Sequence, residues 1–338
     1  MLPKSFLLSA LIILLSVPAY PVQVSFFLGD VSMVRKGKKS PVSVGSTLNS
    51  GDIVKTGKGA FIEILYKDGT KIKINESSSA TIGSKNIAGS DQIAVTSGSM
   101  TGTFKKLMKG SNKVYSPTII ASVRGTEFTV TVSDGGDTRV DLSEGVLDLS
   151  NPYGSTTIKK NEKAESVMGA GPSDSKGTSA DWKKKSDANF ARDPAAKSED
   201  AGRYIDTFSD RSKDIGGTIP AVSSAVKDAK DKDSLEKAET LLNDASEKAQ
   251  DDMGLNEALQ QTLELNMEKF RGKDDTVYDK YRSAANKSGI VEKQQKRNLD
   301  SLNKIREEYR KAYDRIMGRY KNKVDEIKSR FKNKKSDM

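Results

Sequence analysis

Two hydrophobic periodicities divide this chain, and a single layer of secondary structure cannot carry both. Residues 22–168 are rich in Val, Ile, Thr and Gly, in short alternations that follow the two-residue period of a strand. Residues 201–333 are rich in Lys, Glu, Asp, Ala and Leu, with apolar residues three and four apart, the period of a helix. Between them, residues 169–200 are small, polar and charged and read as a flexible linker. Trp182, the only tryptophan, lies in that linker and either docks on the β half or stands there by chance. The expected fold class is multidomain, all-β followed by all-α over residues 201–338.

Within the β half, FIEILYKDGTKIKI (residues 61–74) selects its own hairpin. A two-residue Asp-Gly turn would put lysines on the apolar face. A three-residue loop, Lys67-Asp68-Gly69, instead pairs Ile64 with Ile72 and Ile62 with Ile74, with Gly69 at a left-handed position. A second hairpin is expected between Phe128–Val132 and Arg139–Leu142, and a third at Glu144-Gly145, bringing Leu142 opposite Leu147. Short strands punctuated by glycine turns predict a sandwich, a small barrel or a short β-solenoid.

The run IIASVRGTEFTVTV (residues 119–132) changes parity, from Ile119, Ala121 and Val123 to Phe128, Val130 and Val132. One extra residue in a strand does this, so a β-bulge is expected at Gly125. Arg124 would then sit beside the core and pair with Glu127, or grip a carboxylate or phosphate ligand.

In the helical half, Leu302, Ile305, Tyr309, Tyr313, Ile316, Tyr320, Val324, Ile327 and Phe331 form one stripe. A helix from Val291 to Phe331 would extend ~60 Å and needs cover. The cover expected is the stripe from Val222 to Ala249, then, after a break at Gly254, Leu255, Leu259, Leu263 and Met267, giving an elongated bundle or coiled coil. Residues 290–338 hold 16 Lys/Arg against 8 Asp/Glu, so most of the formal charge of +10 lies there. Such a run is either a solvated face or a contact for an anionic membrane surface or peptidoglycan, through Lys321, Lys323, Lys328, Lys332, Lys334 and Lys335. Self-association through the helices is also open.

The chain has no cysteine and no histidine, which excludes disulfides, thiolate nucleophiles, the usual zinc sets and Ser-His catalysis. GDIVKTGKG (residues 51–59) has five residues between its first two glycines and Gly59 after Lys58, so it fails as a phosphate loop. SDGGD (133–137) lacks the ligand alternation of a calcium loop and reads as a hairpin tip. No catalytic residue, cofactor site or metal site is expected. Lys4, the apolar run Phe6–Val17 and Val17-Pro18-Ala19 read as a signal peptide over residues 1–19, cleaved before Tyr20. The mature chain is expected to be exported, soluble and, with no cysteine at the cut, not a lipoprotein; an exported chain has little occasion to meet nucleic acid.

YSPTIIASVRGTEFTVTV (115–132) followed by TRVDLSEGVLDLSN (138–151) resembles the central motif of the FecR-domain family. Upstream, Gly29-Asp30-Val31, the G-x-x-L-x-x-G-D turn from Gly45 to Asp52 and the Asp68-Gly69 hairpin resemble that family's opening pattern, so the likeness spans roughly residues 28–165. It marks Pro117, Arg124, Gly125, Thr126, Glu127 and Gly69 as motif positions and implies an all-β extracytoplasmic domain. Founding FecR proteins pass a signal from an outer-membrane receptor to a cytoplasmic sigma factor through a cytoplasmic segment and a membrane helix. Here a signal peptide stands in that place and a helical half is appended. The expected function is a non-enzymatic envelope protein whose FecR-like domain binds or scaffolds an envelope protein partner. The alternatives are a periplasmic regulatory partner of a membrane receptor or sigma-factor system and, more remotely, an envelope glycan hydrolase.

Overall fold

The computed structural model describes residues 22–84, 92–105 and 112–336, with side chains through Glu326. The expected signal peptide lies outside the described residues. The strands of the first part are β1 (Val22–Leu28), β2 (Val31–Arg35), β3 (Lys38–Pro41), β4 (Thr47–Leu48), β5 (Asp52–Thr56), β6 (Phe61–Leu65), β7 (Lys71–Ile74), β8 (Ser79–Ile82) and β9 (Ile93–Thr103). They continue with β10 (Asn112–Tyr115), β11 (Ile120–Val123), β12 (Glu127–Val132), β13 (Thr138–Glu144), β14 (Val146–Asn151), β15 (Gly154–Lys159), β16 (Lys163–Ser166) and β17 (Ser173–Asp174).

Pairing sorts these strands into two sheets that share β9. The first runs β4-β1-β6-β7-β9-β12-β13-β16-β17. The second runs β3-β2-β5-β8-β9-β10-β11-β14-β15. Residues 93–97 of β9 pair in the second sheet and 98–103 in the first. Between the sheets lies one core, with Ile62, Ile64, Ile72, Val95, Phe128 and Leu149 all buried. The all-β half is therefore a sandwich.

The Lys67-Asp68-Gly69 hairpin forms in the expected register, with Ile64 opposite Ile72 and Ile62 opposite Ile74. Tyr66 N–H donates to the Thr70 carbonyl at 2.9 Å, and Gly69 has φ +85°. Phe128 faces Leu142 and Val132 faces Thr138, so the second hairpin also forms. The third does not. β13 pairs with β12 and β16, whereas β14 pairs with β11 and β15, so the chain changes sheet at Gly145. Leu142 and Leu147 are both core residues, reached from opposite sheets. A sheet crossing and a hairpin bury the same alternate residues, which is why the sequence pattern does not separate them.

The parity change has the same origin. β11 lies in the second sheet and β12 in the first, and the inward side reverses as the chain crosses at Arg124–Thr126. No bulge at Gly125 is needed. The one register shift nearby gives β13 an extra residue, Ser143, between the Glu127–Glu144 and Phe128–Leu142 pairs.

Four helices follow: α1 (Ser179–Arg192), α2 (Pro194–Asp228), α3 (Lys232–Phe270) and α4 (Asp275–Ser336). Each of the first three starts on a side-chain cap, from Thr178, Asp193 and Asp231, and Asp231 with Ser234 forms a full capping box. α2, α3 and α4 make an antiparallel three-helix bundle joined by tight turns. Its core runs from Ala201, Ile205 and Leu259 near the sandwich, through Leu242 and Leu302, to Leu235 and Ile316 at the far end. The segment 169–200, expected as a flexible linker, instead holds β17 and α1. Its anchors are Phe190 and Ser186, both buried, while Trp182 is only half-buried. α3 runs unbroken through Gly254, where a break was expected. No helix among the described residues is long and apolar enough to cross a membrane.

Candidate interaction surfaces

The sandwich and the bundle meet along the middle of α3. β9, β10 and β11 turn Ala94, Tyr115 and Ile120 away from the sandwich core and into a second apolar cluster with Leu255, Ala258 and Leu259 of α3. Gly254 makes this possible: a Cβ there would lie 2.5 Å from Cδ1 and 2.7 Å from Cζ of the Tyr115 ring. The Tyr115 hydroxyl donates to Asp251 at 3.0 Å, and Lys113 Nζ contacts Asp251 at 2.7 Å and Glu247 at 2.8 Å. Burial pushes the Asp251 carboxyl up against the opposing pull of Lys113. Burial also presses the Lys113 ammonium down, but Asp251 and Glu247 outweigh it and its pKa rises.

Hydrogen bonds extend the seam on both sides. Thr262 Oγ1 donates to the Thr96 carbonyl at 2.8 Å, and Thr81 Oγ1 to Gln261 at 2.6 Å. The 133–137 hairpin tip is clamped among helices. Asp134 takes Lys269 at 2.6 Å and Lys183 at 3.4 Å, and its carbonyl accepts from Asn266. Asp137 takes Lys197 at 3.0 Å and the Ser186 hydroxyl at 2.9 Å. Burial alone would raise the Asp134 carboxyl, but Lys269 and Lys183 bring it below its ordinary value. The carboxylates of SDGGD thus hold the two halves together, and among the described residues no acidic cluster is placed for a metal ion.

Of the motif positions, Gly69, Gly125, Thr126 and Pro117 lie in turns and corners, whereas the side chain of Arg124 does not. Arg124 is exposed and makes no ion pair with half-buried Glu127. Gly125 (φ +68°) and Gly145 (φ +95°) form the two neighbouring sheet crossings, and a Cβ on Gly145 would lie 2.7 Å from Thr126 Cγ2 and 3.0 Å from the Gly125 carbonyl. Thr126 is buried in that corner, with its carbonyl accepting from Phe104 N–H at 2.9 Å. Pro117 is buried near the Thr262 contact and Gly69 caps its hairpin. Asp52, which ends the G-x-x-L-x-x-G-D turn, is buried; it accepts from Asn49 N–H at 2.7 Å and from both Arg35 nitrogens at 2.6 and 2.8 Å.

Among the buried polar groups that escape sequence reasoning are Arg139 and Asp252. Arg139 is fully buried, forked onto Asp141 at 2.8 and 2.9 Å, and donates to the carbonyls of Lys176 and Gly177. It fastens the strand leading into α1. Asp252, buried in the bundle, meets Arg211 at 2.9 Å, and burial pushes its carboxyl up to about 6 although Arg211 holds it down. In the sequence Arg139 and Asp252 look like dozens of other charges, because the Lys176 and Gly177 carbonyls that bury Arg139 and the Arg211 that meets Asp252 lie 37 to 41 residues away, which no local pattern marks.

Of the lysines singled out in the basic run, Lys321 and Lys323 are exposed on α4. The side chains of Lys328, Lys332, Lys334 and Lys335 lie outside the described ones.

Residues 52–148 match the family model described as FecR protein. The chain thus carries a FecR-type segment, from β5 to β14, within the 28–165 likeness read from the motifs. No curated protein matches. Two crystal structures of a candidate anti-sigma factor from Parabacteroides distasonis ATCC 8503 are similar at 13% identity and a TM-score of 0.32. The alignment covers 36% of this chain and 59% of theirs, so the chain spans less than two thirds of those structures.

Proposed function

We propose that this chain is an exported, non-enzymatic regulatory protein of the cell envelope, in which the FecR-type sandwich engages a membrane receptor or sigma-factor regulator. The observation that carries this reading is the FecR-family match over residues 52–148. The founding members of that family are signal carriers, which favours regulation over passive scaffolding. The docked bundle supports it mechanically. A sandwich tied to α3 by buried contacts and to α1 and α2 by ion pairs passes any displacement to a long helical arm, whereas two bodies on a flexible tether would not.

A photo-crosslinking residue in place of exposed Arg124, in intact cells, tests the reading. Recovery of a receptor or regulator of transcription supports it. Recovery of peptidoglycan fragments alone would return the protein to the scaffold class. N-terminal sequencing of the protein from the periplasmic fraction tests export, with Tyr20 as the expected first residue.

A further inference from the structure

α4 continues past the helices that cover it. Its last covered residue is Ile316, which packs with Ala229 and Leu235 where α2 ends and α3 begins. From there the helix runs to Ser336, ~30 Å at 1.5 Å per residue. Tyr313, just before that last contact, and Tyr320 and Val324 beyond it are 46%, 46% and 47% exposed. With half-buried Met317 they stand at steps of four, three and four, the spacing of a coiled-coil seam, and the sequence continues those steps to Ile327 and Phe331.

The seam is narrow, with two apolar positions per heptad. A helix that lies in a membrane surface presents a broader apolar face. Asp314 flanks the seam at Tyr313, but beyond the covered bundle the flanking positions are Lys321 and Lys323 and, at the next repeat, Lys328 and Arg330, while Asp325 and Glu326 fall on the far side. A second copy laid on this seam, parallel or antiparallel, would set cation against cation at the flanks. A partner with carboxylates there gains at every such position.

We infer that the distal seam of α4 is a docking site for an amphipathic helix of a partner protein, one whose own apolar seam is flanked by Asp or Glu. This deepens the binding reading above and rests on it. The Arg124 crosslink tests the sandwich and the experiment below tests the arm, so each can fail alone.

The test titrates the full mature chain with two labelled synthetic helices that share a Leu/Val seam, one flanked by Glu and the other by Lys. The Glu-flanked helix is expected to bind, to weaken as salt rises from ~0.05 to ~0.5 M, and to be lost in a Tyr320→Ser, Val324→Asp variant. Both substitutions lie beyond the covered bundle, so helicity and melting temperature should stay unchanged. The Lys321→Glu, Lys323→Glu variant should exchange its preference and take the Lys-flanked helix. Equal binding of both helices, binding that survives the seam variant, or binding of neither overturns the proposal. So does dimerisation that depends on Val324, which would make a second copy the occupant. Cosedimentation with phosphatidylglycerol vesicles while the helices are ignored would assign the seam to a membrane.

Discussion

Gly254→Ala sets two physical effects of opposite sign against each other. On a helix surface, alanine is better than glycine by about 1 kcal/mol, and α3 is helical on both sides of residue 254. The tertiary structure reverses the sign. The added Cβ would lie 2.5 and 2.7 Å from atoms of the Tyr115 ring, inside any distance that real Cβ atoms keep. The ring cannot swing clear, because Tyr115 is 1% exposed and its hydroxyl is tied to Asp251. Overpacking of this kind costs about 1–3 kcal/mol, so after the propensity gain the net effect is a loss of up to roughly 2 kcal/mol, felt at the junction. Urea unfolding of the full chain should show it, and amides of β10 and of α3 around 254 should exchange faster while the Ile62–Ile74 hairpin is unaffected. Tyr115→Leu should relieve the clash, so the double variant should lose less than the two single changes added together. If Gly254→Ala instead raises the urea midpoint, the ring does not sit against the helix and the junction is wrongly drawn.

Three further outcomes follow from buried groups and corners. The Asp252 pKa is raised to about 6, so its protonated form favours the fold: that contribution is complete below about pH 4 and lost as pH rises through 6. Asp252→Asn should remove a slope worth about 3 kcal/mol over that window, read from urea midpoints at pH 4 and 7. Replacing Arg139 by Met should cost about 3–5 kcal/mol, because Asp141 is left without its guanidinium, and should open residues 169–197 to trypsin in a limited digestion that the wild-type chain is expected to resist. Gly125→Val should destabilise by about 1–3 kcal/mol at its left-handed φ, whereas Arg124→Ala should change the melting transition by less than about 0.5 kcal/mol. Equal losses for the two would restore a structural role to the arginine.

Local patterns fixed what depends on neighbours in sequence. The register at Tyr66–Thr70 follows from which lysines would otherwise be buried, and three- and four-residue spacing marks the long helix with its stripe. The stripe traced from Val222 leaves out the start of the helical half, residues 201–221, where Gly216, Gly217 and Pro220 interrupt the pattern although Ala201, Tyr204, Ile205 and Phe208 are buried. What only the tertiary structure decided concerns contacts between distant segments. A parity change can mark a bulge or a sheet crossing, because both reverse the inward side, and only the pairing of β11 with β14 and β12 with β13 tells them apart. Residues 169–200 look like solvent-loving linker because their charges are visible and their partners are not: Asp137 for Lys197, Asp134 for Lys183, Gly135 for the Phe190 ring. Gly254 looks like a helix break until a strand some 140 residues earlier in the chain lays a tyrosine ring across it. Propensity and period are one-dimensional. The cost of a Cβ, and the worth of a buried charge, are set by what the fold brings beside it.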